Sequence, residues 1–121
     1  LLDIFNMFER VGIGIDIVDV NRFKEKPFEI NNSFYKNIFS DSEIQYCLSH
    51  KNSSQSFAAK FAIKESVIKS INKQISFLDI LTDHLNSKPT VKLLHYPSYN
   101  FLVSVSHEKS HAVAIVISEF I

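Results

Sequence analysis

The chain has 121 residues, 45% of them hydrophobic and 21% charged, with thirteen basic side chains set against thirteen acidic ones. That balance belongs to an ordinary globular domain with one core and gives no general attraction to nucleic acid. The lone cysteine, Cys47, excludes an internal disulfide and any multi-cysteine zinc centre. No apolar run approaches the roughly 18–20 residues that cross a bilayer. Leu1–Arg10 is too short and too polar for a secretion signal. A single domain over residues 1–121 is expected, with 1–10 as an N-terminal extension or the start of the first strand.

In chain order, the alternation of Val11-Gly12-Ile13-Gly14-Ile15-Asp16-Ile17-Val18 predicts a β-strand. Its isoleucines share one face, while Gly12, Gly14 and Asp16 share the other. Both glycines of the chain lie in this strand, so something must pack or bind very close to that face. The aromatic stretch from Asn21 to Ile38 predicts one or two short helices about the break at Pro27. Ser40-Asp41-Ser42-Glu43 has the form of a capping box opening a helix that turns Ile44, Cys47 and Leu48 inward. After a polar loop at Lys51–Ser54, an apolar stripe of Phe57, Phe61, Val67, Ile68 and Ile71 predicts a long helix from Ser56 to about Ile71. Lys60, Lys64, Glu65 and Lys69 are placed at or beyond the margins of that stripe. Strands are predicted over Phe77–Thr82 and, after a turn at Pro89, over Thr90–Leu94. Phe101–Ser106 and His111–Ile117 read as a hairpin. The order implies an α+β fold with helices packed on a mostly antiparallel sheet.

Asp16, at the end of a face cleared by glycine, suits a hard cation, although a strand-end Asp is equally often a solvated group or a cap. Glu65 and Lys69, four apart on the helix, share a face. They read either as a surface ion pair worth about 0.3–0.5 kcal/mol or as a second metal carboxylate with a phosphate-binding ammonium. Lys60, Lys64 and Lys69 form either a solvated face or a phosphate-neutralising one. Ser106 and His107 are adjacent on a strand and so point to opposite faces, which makes them a poor nucleophile–base pair.

Three stretches together resemble one family. Val11–Asp19 resembles the opening strand of holo-acyl-carrier-protein synthases. Phe61-Ala62-Ile63-Lys64-Glu65-Ser66-Val67-Ile68-Lys69 resembles their central helix signature. Ser104-Val105-Ser106-His107 with Ala112-Val113-Ala114 resembles their closing hairpin. The similarity runs from Val11 to Ile117 and is to the small, single-unit type of the 4'-phosphopantetheinyl transferase superfamily.

That resemblance implies transfer of 4'-phosphopantetheine from coenzyme A to a serine of an apo-acyl carrier protein, with Mg²⁺ and with release of adenosine 3',5'-bisphosphate. Asp16 and Glu65 are implied as the metal ligands, and Glu65 and Lys69 as the catalytic pair. Lys60, Lys64, Lys69, Ser106 and His107 are implied around coenzyme A, the last two across a subunit boundary. Arg22 and Lys36 are implied as contacts to the carrier protein. The proton of the attacking serine is assigned to a water on the metal or to a carboxylate such as Glu65. A cytoplasmic homotrimer serving fatty-acid biosynthesis completes the expectation, with no nucleic acid and no membrane span.

The chain departs from the family pattern at Asn72-Lys73-Gln74, where a glycine-containing turn is usual, and at Asn37, where a basic residue is common. By themselves the residues also fit a non-catalytic α+β interaction module, or another magnesium-dependent nucleotide or phosphate enzyme.

Overall fold

The computed structural model describes residues 8–96 and 98–121. Strand β1 (Val11–Asp19) leads into short helices α1 (Asn21–Lys24) and α2 (Asn32–Lys36), with a 3-10 turn at Phe28–Ile30 between them. Helix α3 (Asp41–Leu48) and the long helix α4 (Ser53–Ile71) follow. Then come a 3-10 turn (Phe77–Asp79) and strands β2 (Ile80–Leu85), β3 (Lys88–Leu93), β4 (Tyr99–His107) and β5 (His111–Phe120). Residues 8–10 are helical, so the first strand begins at Val11 and not within the preceding segment; residues 1–7 lie outside the described residues.

One sheet runs β1-β5-β4 and a second pairs β2 with β3, and each neighbouring pair is antiparallel. The expected α+β class therefore holds. Helix α4 lies across the first sheet, on the face that carries Gly12 and Gly14. The two glycines open that face for packing by backbone: a Cβ on Gly12 would lie 1.7 Å from the Ser70 carbonyl oxygen, and one on Gly14 would lie 2.0 Å from that of Ser66. Serines seal the seam, since Ser66 donates to Ala114 O at 3.1 Å and Ser118 donates to Ser70 O at 3.1 Å.

Beneath the helices the core is aromatic. Phe23 sits at its centre, with the rings of Phe34, Tyr35, Phe39, Phe57 and Phe61 around it at centroid separations of 5.8–6.2 Å. Each such ring, once buried, contributes roughly 1.5–3 kcal/mol. The short helices α1 and α2 thus hold their place through what they bury, their length being too small for intrinsic helicity.

Several local expectations change. The Ser40–Glu43 capping box forms in full, and Ile44 and Cys47 are buried, but Leu48, the last residue of α3, is 41% exposed. Helix α4 starts at Ser53, inside the segment expected as a loop. The strand expected from Phe77 begins only at Ile80, because Ser76 accepts the Leu78 N–H at 3.3 Å and winds the chain into a 3-10 turn first. The β2–β3 turn falls at Asn86 and Ser87, both with positive φ (51° and 68°), as a two-residue hairpin loop requires. Pro89 instead stands within β3 opposite His84.

Candidate active site

Close packing of α4 on β1 decides where the charged residues meet. Past Gly14 the next residue on the helix-facing side of β1 is Asp16, and there the helix presents Glu65 and Lys69. The Lys69 ammonium donates to Asp16 Oδ1 at 3.1 Å and to the Ile15 carbonyl at 3.0 Å. No Glu65–Lys69 salt bridge forms; lysine reaches across to the strand. Burial and then the Asp16 charge push the Glu65 carboxyl above the usual carboxylate range, against the lowering pull of Lys69 and Arg22. Four groups from three elements therefore share one electrostatic neighbourhood.

Arg22 belongs to this neighbourhood. Its guanidinium lies over the Phe61 ring at 4.7 Å and acts on Glu65. Lys36, exposed at the end of α2, takes no part in these hydrogen bonds among the described residues. Asn72 ends α4 in the left-handed conformation (φ 53°, ψ 45°), its N–H donating to Ile68 O at 2.9 Å. Asparagine thus fills the place where the family prefers glycine. Gln74 is not among the described residues with positive φ, so it meets no such demand.

The other lysines of α4 correct the sequence reading. Lys60 and Lys64 are buried, at 4% and 0% exposure, and do not lie at a solvated margin. Lys64 donates to Ile38 O (2.8 Å), Glu43 Oε1 (2.8 Å) and Phe77 O (2.9 Å), so all three of its N–H groups are engaged by the protein. It holds α3 and the entry to β2 against α4 and has no donor left for a cofactor. Burial works against its charge, and Glu43 offsets that. Burial also works against the Glu43 carboxylate, but Lys64 and hydrogen bonds from Lys64, Thr82 and Ser40 outweigh it and hold Glu43 below the ordinary range.

Lys60 is placed differently. It donates to Thr82 Oγ1 at 2.9 Å and lies 4.6 Å from the centroid of the Tyr46 ring. With His107, His84, Tyr46 and Asp83 it lines a small cavity of about 60 Å³. His107 contacts Gln55 Oε1 at 3.0 Å through Nδ1. Ser106 pairs with Val113, and Val113 pairs with Ile17, which puts Ser106 on the sheet face opposite Asp16. The two expected ligand-binding neighbours of β4 thus look to different sides.

Asp16 and Glu65 form a set of two carboxylates; no group of three or more His, Cys, Asp or Glu suited to a metal occurs among the described residues. Two carboxylates whose charges disfavour one another suit Mg²⁺, which ordinarily takes one or two such ligands and completes its shell with phosphate oxygens and water. A second cleft, of about 420 Å³, lies elsewhere, at the start of α4 between Lys24, Lys51 and Lys109. These lysines and Thr82 were not singled out by sequence reasoning, and Glu43 was read only as a helix cap, because they become neighbours only through the fold. No helix among the described residues is long and apolar enough to cross a membrane.

Residues 12–116 match the profile of the 4'-phosphopantetheinyl transferase superfamily. A holo-[acyl-carrier-protein] synthase from Thermodesulfovibrio yellowstonii is 38% identical over 111 residues, covering 88% of this chain and 96% of the relative. One from a Geobacter species is 34% identical over 122 residues, covering 89% and 97%. Among solved structures, the Helicobacter pylori holo-[acyl-carrier-protein] synthase in complex with coenzyme A aligns with a TM-score of 0.78 at 32% identity, covering 88% of this chain and 99% of that one. The Bacillus anthracis holo-(acyl-carrier-protein) synthase in complex with CoA (3',5'-ADP) gives 0.77 at 29% identity, covering 91% and 96%.

Proposed function

Because the chain belongs to the 4'-phosphopantetheinyl transferase superfamily, in its holo-[acyl-carrier-protein] synthase branch, we propose that it catalyses magnesium-assisted transfer of 4'-phosphopantetheine from coenzyme A to a serine of an apo-acyl carrier protein. The observation that carries the reading is the meeting of Asp16 and Glu65, with Lys69 bonded to Asp16, at one end of the β1–α4 seam. Asp16 and Glu65 would hold Mg²⁺, which when bound neutralises pyrophosphate charge and polarises the phosphoryl oxygens.

The serine hydroxyl attacks the β-phosphorus of coenzyme A. The new P–O bond forms as the bond to the bridging oxygen breaks, and adenosine 3',5'-bisphosphate leaves with the charge of that oxygen. Lys69, 52% exposed and so open to a phosphate oxygen in exchange for Asp16, counters charge on the transferring group. A carboxylate such as Glu65 takes the serine proton, directly or through a water. Lys60 and His107, on the walls of one cavity, bind the nucleotide end of coenzyme A. Arg22, whose guanidinium lies over the Phe61 ring, and Lys36 meet the acidic carrier protein.

Assembly as a homotrimer is part of the proposal, and the open face of the sheet supports it. Ile13, Ile15 and Ile17 of edge strand β1 are 59–65% exposed, with Ile117 and Leu102 continuing the row across β5 and β4. A contiguous apolar face of this kind marks an interface. Ser106 lies on that same face, so an adjoining subunit could receive it. The expected setting is the cytoplasm and fatty-acid biosynthesis.

The test is to incubate the protein with an apo-acyl carrier protein, coenzyme A and Mg²⁺ and to measure the carrier's mass. Gain of one phosphopantetheine arm, lost with EDTA and in Asp16→Asn or Glu65→Gln, is expected. An unchanged mass together with no binding of coenzyme A would overturn the proposal.

A further inference from the structure

The face of α4 turned away from Asp16 and Glu65 carries a buried polar network in which every member but Lys60 has no place in the mechanism above. Its centre is Glu43. Oε1 accepts from Ser40 N–H and from Lys64 Nζ, both at 2.8 Å; Oε2 accepts from Thr82 N–H at 2.9 Å and from the Thr82 hydroxyl at 2.5 Å. A carboxylate has about four acceptor positions, and all are taken. Thr82 has a single hydroxyl hydrogen, and Glu43 takes it. Toward Lys60, therefore, Thr82 Oγ1 can only accept, and the Lys60 ammonium donates to it at 2.9 Å. A longer contact of 3.5 Å runs from the same ammonium to the Thr82 carbonyl.

Both sides of this joint are buried: Thr82 is 6% exposed, Glu43 2% and Lys60 4%. A lysine so placed has lost most of its conformational freedom, and its position follows from the hydroxyl that receives it. Two of its three N–H groups are taken by Thr82, which leaves one for a ligand. Lys60 also lines the cavity with His107 and His84, whereas Thr82 does not. We infer that Thr82 is a positioning residue: its hydroxyl, oriented by Glu43, aims the Lys60 ammonium at the nucleotide end of coenzyme A and so sets the affinity for that substrate. The inference rests on the proposed contact between Lys60 and coenzyme A.

The variants Thr82→Val, Thr82→Ser and Lys60→Met separate the possibilities. Steady-state transfer to an apo-carrier gives kcat and both KM values, and calorimetry of coenzyme A with the same proteins gives Kd without turnover. Thr82→Val is expected to raise KM and Kd for coenzyme A roughly tenfold, the size of one hydrogen bond to a charged group. Its kcat and its KM for the carrier should stay within about twofold, and Thr82→Ser should restore the wild-type values. A variant that merely folds less well would lower apparent kcat and leave both KM values where they were. Lys60→Met should weaken coenzyme A at least as much, with Thr82→Val adding nothing on top of it. If Lys60→Met weakens coenzyme A and Thr82→Val does not, the positioning role is overturned while the Lys60 contact survives. If neither weakens it, the Lys60 contact is wrong, and the inference falls with it.

Discussion

The Lys69 ammonium donates to Asp16 Oδ1 at 3.1 Å, joining two residues 53 positions apart across the seam between α4 and β1. The Lys69 side chain is 52% exposed and that of Asp16 17%, so the pair is open to solvent on its lysine side. Such a pair contributes well under about 1 kcal/mol to stability. Its importance lies in keeping an ammonium beside two carboxylates that repel one another.

Lys69→Ala is therefore expected to leave the melting temperature within a few degrees of wild type while lowering transfer by about 10²-fold, the usual cost of one aimed charge at a phosphoryl centre. Thermal denaturation and carrier mass measured on the same preparation check both parts. Near-normal transfer by Lys69→Ala would remove this residue from the mechanism.

Gly14→Ala should act on the same site from beneath. The added methyl would lie 2.0 Å from the Ser66 carbonyl oxygen, which is helix backbone and cannot swing aside. Overpacking of this kind costs typically 1–3 kcal/mol, and relief requires α4 to lift from β1, taking Glu65 away from Asp16. A fall in melting temperature accompanied by loss of transfer is expected. A variant as stable and active as wild type would show that the seam is looser than described.

Stability should also depend on pH through Glu43. Its carboxyl titrates below the ordinary range in the folded chain, since Lys64 and three hydrogen bonds outweigh the penalty of burial. A depressed carboxylate stabilises the fold fully above its unfolded pKa, and that contribution is lost as pH falls through the folded value. Denaturant melts from neutral to acid pH should show this loss, and Glu43→Gln should flatten the acid limb. At neutral pH that variant leaves Lys64 buried and unpaired, a cost of about 3–5 kcal/mol. Glu43→Gln/Lys64→Met should then lose less than the two single variants summed. Additive losses would show that the two residues do not act as a pair.

Ile15 tests the assembly. It is 59% exposed and lies opposite Ile115, which in turn pairs with Ser104. Ile15→Asp puts a charge in the middle of the open face without touching the core behind β1. Light scattering is expected to report a trimer for wild type and a monomer for the variant, with transfer lost on dissociation. An active monomeric wild type would dispose of the trimer.

Much of this arrangement was legible along the chain, because it depends on local rules. Alternation marked β1, a polar turn at Glu108–Ser110 between two strand-like stretches marked the β4–β5 hairpin, the Ser40–Glu43 spacing marked the start of α3, and the stripe from Phe57 to Ile71 marked α4. The two glycines of β1 announced a close approach, although they could not say whether helix or ligand made it. Asp16, Glu65 and Lys69 were singled out by residue type and spacing, and packing brings all three together.

What tertiary structure alone decided is which charges are buried. Lys60, Lys64 and Lys69 look alike in sequence, each spaced to fall beside an apolar stripe. Partners distant in the chain separate them: Glu43, Ile38 and Phe77 engage every donor of Lys64, Thr82 receives Lys60, and Asp16 meets Lys69 at the surface. A buried ammonium persists only where acceptors from other elements converge on it. The periodicity of a helix records which side faces the core, but it carries no trace of the carboxylate or hydroxyl that another segment supplies there.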